Sequence, residues 1–239
     1  MTAPVRYGEE PGVDPRRTLA DALRRLAVAT VAAELPADVL HDAASTVRAV
    51  ADSLQAASGP AARTRPRPDP SRPVQELFVT SPVFGLENPV APPVRLWRDG
   101  HGVGGEAWFD HTYEGPPTCV HGGVIAMVFD DLLGVANFLA GHGGMTGTLS
   151  VRYRRPTPLR QMLRLSARCL GAEGRRIRAE AAIYHGDVLT AEASGLFVAV
   201  APERFAAMVD RHGGSPMVGP RGPAAFPGGG TDLPAPGER

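Results

Sequence analysis

The sequence predicts an α+β protein in which a curved antiparallel sheet of five to six strands wraps around one long central helix, with a pair of helices ahead of it. Three observations carry this reading. Between Val124 and Ala140 only Asp130, Asp131 and Asn137 interrupt a run of apolar and small residues that covers every side of a helical wheel, the pattern of a helix enclosed by other structure. Leu149, Val151 and Tyr153, like Leu163 and Leu165, alternate with polar residues, as a sheet with one buried face requires. A single long helix is all that these strands have to pack on, so curving around it is the economical arrangement.

The elements follow in chain order. Residues 1–13 read as disordered, and Asp14-Pro15 opens a helix over 14–34 whose Leu19, Leu23, Leu26, Ala27 and Thr30 recur at three and four. Pro36 opens a second over 36–57, with Val39, Leu40, Ala43, Val47, Val50 and Leu54 on one face. Residues 1–57 are thus a helical extension, whose two apolar faces are expected to bury against each other or against the main domain. Residues 58–93 form a linker and lead-in. Its first part, SGPAARTRPRPDPSRP, holds no large apolar residue and reads as a tether. The following stretch is too Pro-rich for a central strand and is expected to lie over the site or lead into the domain.

The main domain spans 94–202. Strands are expected at 94–98 and 104–109, then the helix from Gly122 to Ala140, then strands at 147–153, 162–170, 177–185 and 188–200. Gly171 to Gly174 and Gly186-Asp187 supply hairpin turns, and Gly141, Gly143 and Gly144 stop the helix. Residues 203–239 read as a short helix followed by a Gly- and Pro-rich tail that cannot fold.

Composition narrows the function classes. A chain of 239 residues with zero formal net charge offers no electrostatic reason to bind nucleic acid. Two cysteines, Cys119 and Cys169, make no disulfide framework and no metal cluster, so a reducing, cytoplasmic setting is expected, with no metal and no cofactor. The N-terminus lacks an apolar leader, and the central helix holds two carboxylates, which makes it a poor membrane span. His101, His111 and His142 sit in loops without ligand spacing. Cys119 reads as a small buried thiol rather than a nucleophile.

The chemistry concentrates on the central helix. Gly122 and Gly123 follow His121 at its start, where free backbone N–H groups favour a partial negative charge such as a polarised carbonyl oxygen. An aspartate among apolar side chains is paired, capped or working; Asp131 is expected to face water more readily than Asp130. His121 and Asp130 lie nine residues apart, about 13 Å along one axis. If both serve one reaction, two copies of the helix face each other across a twofold axis, with two equivalent sites.

These residues carry a resemblance. HGGVIAMVFDDLLG, GGMTGTLSVRYRRPTPL, AEGRRIRAEA and EASGLFVAV are similar to the PaaI-type hotdog-fold acyl-CoA thioesterases, and within them to thioesterase superfamily members four and five, over roughly residues 95–202. The resemblance implies a hotdog fold and hydrolysis of an acyl-CoA thioester. It places Asp130 as general base or nucleophile, the Gly123 amide of a partner subunit on the thioester oxygen with Gly122 beside it and His121 shaping the turn, and Thr146 next to the carboxylate. It also places coenzyme A phosphates near Arg152, Arg154, Arg175 and Arg176, where outward guanidinium groups bind phosphate in pairs of hydrogen bonds. A homodimer or dimer of dimers follows, and coenzyme A enters only as part of the substrate. Phe129, Leu133 and Met145 are expected to line an apolar tunnel for the acyl group. Two competing readings are a hydratase on the same fold, against which Thr146 and the His-Gly-Gly spelling speak, and a non-catalytic acyl-CoA sensor or scaffold.

Overall fold

In a computed structural model the described residues are 14–59, 71–100 and 102–200. The expectations for residues 1–13, for most of the Pro/Arg-rich tether, for His101 and for the tail lie outside them. Within the described residues the chain divides into two compact units, one holding the first helix and everything from Ser71 onward, the other holding the second helix.

Both N-terminal helices form, over Pro15–Ala32 (α1) and Ala37–Ala56 (α2). Asp14 caps α1, its carboxylate accepting from the Arg16 amide at 2.8 Å, and Pro15 at the first position gives up a donor that the helix would leave unused anyway. The side that α1 buries is not the leucine stripe. Ala20 and Arg24 are its buried residues, while Leu19 and Leu26 stay more than a third exposed. No α2 residue is buried within its own unit, and Val39 and Leu54 are 47% and 49% exposed.

The remaining elements are strands β1 (Val94–Asp99) and β2 (Gly102–Trp108), helix α3 (Gly122–Leu139), and strands β3 (Met145–Tyr153), β4 (Met162–Glu173), β5 (Arg176–His185) and β6 (Val188–Val198). They form one six-stranded sheet, antiparallel throughout, in the order β1-β2-β4-β5-β6-β3. Helix α3 packs against β2, β3, β4, β5 and β6. Val128, Phe129, Leu132 and Leu133 join Leu163, Leu165, Ile177 and Ile183 in one core. Gly174 and Gly186, at φ +56° and +57°, turn the β4–β5 and β5–β6 hairpins as L residues rarely can.

The expectation that α3 is covered on every side is corrected by its partition. Ile125, Val128, Phe129, Leu132, Leu133, Val135 and Ala136 are buried, whereas Gly123, Met127, Asp130 and Gly134 run along a stripe that the chain covers only in part. Phe129 and Leu133, both 0% exposed, are core residues and line no tunnel. By length and composition α3 could cross a membrane, but here it is the helix on which the sheet packs. Strand β3, at the end of the sheet, is the other partly bare element, with Met145, Thr146, Thr148, Ser150, Arg152 and Tyr153 all exposed.

Candidate functional site

The approach to α3 is tightly clamped. The Glu114 carboxylate accepts from the Thr118 amide at 2.7 Å, and that bond holds its pKa below the usual glutamate value, with His111 adding to the effect. The His121 amide donates to Tyr113 O and the Val120 amide to Thr157 O, each at 2.9 Å. A Cβ on Gly115 would come within 2.7 Å of His121 Cα, so only glycine lets the loop pass so close beneath the helix entrance.

His121 is the N-cap of α3. Its Nδ1 accepts from the Gly123 amide at 2.9 Å, and its carbonyl oxygen accepts from Val124 and Ile125 at 2.9 and 3.1 Å. For Nδ1 to accept, the ring proton must sit on Nε2. The Gly123 N–H, expected to be open, is therefore held within the chain by the residue expected to shape the turn. Tyr153, which the sequence reading left out of the site, donates its hydroxyl to Gly122 O at 2.8 Å. Its ring lies against Gly122, 3.4 Å from where a Cβ would be, so the end of β3 is pinned to the start of α3.

The other end of β3 meets the carboxylate. Thr146 Oγ1 donates to Asp130 Oδ1 at 2.7 Å. The register explains how. Thr146 lies opposite Phe197 and Leu149 opposite Gly195, with a shift between Thr146 and Thr148. One extra residue at Gly147 switches the alternation, so that Thr146 shares the helix side with Leu149, Val151 and Tyr153. Asp130 itself is half-buried in the single chain.

The two aspartates, both half-buried, differ in their partners. Asp131 is held by Ser81, whose Oγ donates to its Oδ2 at 2.5 Å while accepting from the Val83 amide at 3.0 Å. Burial pushes the Asp131 carboxyl above its ordinary value, opposed by the Ser81 hydrogen bond and reinforced by the neighbouring Asp130 charge. The Pro-rich lead-in thus lies on α3, and the edge-to-face pair Phe78–Phe138, with centroids 5.6 Å apart, fixes it at a second point.

The four arginines form no single cluster in one chain. Arg176 lies opposite Val198, which lies opposite Met145, whereas Arg152 lies opposite Glu192, seven residues and about 23 Å further along β3. Arg154 is engaged by Glu192, its Nη2 2.5 Å from Oε1, and Arg175 Nε donates to Ala199 O at 3.2 Å. Among the described residues no group of His, Cys, Asp and Glu is placed to hold a metal ion.

Residues 118–192 match the family model described as Thioesterase superfamily. The chain is 37% identical over 92 residues to the acyl-coenzyme A thioesterase THEM4 of Xenopus laevis, and 32% identical over 93 residues to that of Mus musculus. The matches take in 37% and 38% of this chain, and the chain spans 41% and 40% of the length of these relatives. A solved structure of a thioesterase superfamily protein superposes with a TM-score of 0.70 at 33% identity, covering 82% of this chain and 98% of its own. That agreement extends beyond the sheet and α3 and is long enough on both sides to settle kinship: the chain belongs to the thioesterase superfamily and has the hotdog fold.

Proposed function

We propose that the protein hydrolyses an acyl-CoA thioester to a free carboxylic acid and coenzyme A, working as a homodimer with two equivalent sites. One observation carries the reading: the Asp130 carboxylate, oriented by Thr146 at one end of β3, and the glycine-rich start of α3, pinned by Tyr153 at the other end, are complementary halves that one chain keeps apart. Pairing two exposed β3 edges antiparallel about a twofold axis would bring the partner's Gly122 and Gly123 to this chain's Asp130. The same operation would carry the partner's Arg152 to the end of β3 where Arg175 and Arg176 lie, restoring a basic cluster suited to phosphates. The name that the THEM4 relatives bear supports the substrate class.

In the reaction Asp130 takes a proton from water as the oxygen attacks the thioester carbonyl, or attacks that carbon itself to form an acyl anhydride that water then opens. The negative charge that develops on the carbonyl oxygen is met by amides at the start of the partner's α3. Collapse of the tetrahedral species expels the coenzyme A thiolate, which takes up a proton. Since His121 Nδ1 holds the Gly123 amide in the single chain, turning of the imidazole would free that N–H for the oxyanion.

That same hydrogen bond favours a second reading, an acyl-CoA sensor whose oxyanion donor stays closed. Measuring thiol release from a panel of acyl-CoA esters by wild type and Asp130→Asn separates the two. A loss of about 10³-fold in kcat for the variant is expected of a general base. Equal inactivity of both proteins with undiminished binding of the esters favours the sensor.

A further inference from the structure

Thr118 stands in the left-handed region at φ +66°, a backbone conformation that a β-branched side chain rarely tolerates. Thr118 and Glu114 are both exposed, so burial of these side chains does not impose it. What meets the strain is the Glu114 carboxylate, whose Oε1 accepts from the Thr118 amide at 2.7 Å while Oε2 lies 3.3 Å from His111 Nδ1. The consequence lies downstream. Past Thr118 the chain turns to pair with the segment after β3: the Thr118 carbonyl accepts from the Leu159 amide at 2.9 Å, Cys119 bridges Pro158, and the Val120 amide donates to Thr157 O at 2.9 Å. The next residue is His121, the cap of α3, and its amide is held by the carbonyl of Tyr113, the neighbour of Glu114 in the chain. The loop from 113 to 121 is thus closed at its base by Tyr113 and His121 and clasped from 114 to 118 by a carboxylate.

We propose that Glu114 is a positioning residue for the start of α3: by holding Thr118 in its left-handed turn it sets the path of His121, Gly122 and Gly123, and so the place of the amides that meet the thioester oxygen. This rests on the hydrolase reading above, in which those amides receive the developing charge. Both carboxylate oxygens have partners, and the group is held below the usual glutamate pKa, which suits a fixed acceptor rather than a group that shuttles protons.

The test is a double-mutant cycle on the full-length chain. Steady-state kinetics on one ester are taken for wild type, Glu114→Ala, Thr118→Gly and the double variant, at a temperature where melts show each to be folded. Glycine adopts a φ of about +60° without help, so the clasp should matter most while threonine occupies position 118. Glu114→Ala is expected to lower kcat by about tenfold or more with KM within about threefold in the wild-type background. In the Thr118→Gly background the same change should lower kcat by less than about threefold. Glu114→Gln keeps an acceptor oxygen for the Thr118 amide and should retain most of the rate. An unchanged kcat in Glu114→Ala, or an equal loss in both backgrounds, overturns the proposal. If Glu114→Ala does not fold, Glu114→Asp, whose shorter side chain draws the carboxylate back from the amide, takes its place in the cycle. If wild type hydrolyses no ester, the hydrolase reading falls, and the same cycle read as calorimetric affinity for octanoyl-CoA decides the proposal by itself. Wild type that neither hydrolyses nor binds the esters ends both.

Discussion

Ser81 Oγ and Asp131 Oδ2 are 2.5 Å apart, and fifty residues of sequence separate them. With the Val83 amide donating into the same hydroxyl oxygen, the serine proton is directed at the carboxylate. A Pro-rich segment without strand or long helix is thereby fastened to the central helix one residue from Asp130.

The pH dependence of stability at this contact has a definite sign. The folded-state pKa of Asp131 is raised, chiefly by burial, so folding is favoured by this group below the ordinary aspartate pKa and loses that contribution as pH rises through the folded value. Asp131→Asn keeps an acceptor for Ser81 and carries no charge. Its melting temperature should exceed that of wild type at pH 7, and the difference should shrink as pH approaches 4. Thermal melts across that range check it, and a difference that grows on acidification contradicts it.

In the proposed reaction Thr146, which donates to Asp130, positions the carboxylate rather than reacting. A hydrogen bond to a charged group is worth about 1.5–3 kcal/mol, so Thr146→Ala should lower kcat by roughly 10- to 100-fold with KM little changed. Thr146→Ser should restore most of the rate. Steady-state kinetics on one good ester reads the split between kcat and KM.

Arg24 ties α1 to the lead-in. Its Nε donates to Ala91 O at 2.8 Å, and Nη2 donates to Asn88 O, Gly85 O and Leu86 O at 2.8, 3.1 and 3.2 Å. Arg24→Met preserves much of the apolar stem and strands buried carbonyls, at roughly 1–3 kcal/mol for each group left unsatisfied. A net loss of about 3 kcal/mol, or roughly 6–12 °C in Tm for a protein of this size, should appear in calorimetry. Lys at this position cannot reach the carbonyls in the same fork and should rescue little.

Asn137 is 2% exposed, and among the described residues neither its Oδ1 nor its Nδ2 has a hydrogen-bond partner. Its burial costs about 1–3 kcal/mol, and leucine has nearly the same shape. Asn137→Leu should stabilise the protein by about 1 kcal/mol, a rise of roughly 2–4 °C in Tm. A drop in Tm would show that the amide meets a group that the packing conceals.

The central helix, the strand alternation and the two glycine hairpins were legible in the sequence because they arise from local periodicity and local turn chemistry. His121 and Asp130 stood out as polar residues of the central helix, and Thr146 only through the family resemblance. Which aspartate the lead-in engages was not: both stand in one apolar run, and the outcome hangs on Ser81, half a hundred residues away. The inward turn of Thr146 required the extra residue at Gly147, an irregularity of pairing that alternation alone does not reveal. Tyr153 on Gly122, and Arg24 among the lead-in carbonyls, likewise depend on the path of the chain through space. Periodicity determined which residues make helices and strands; the fold decided which of them meet, because burial, hydrogen-bond partnership and the open side of α3 are properties of neighbours that are distant along the chain.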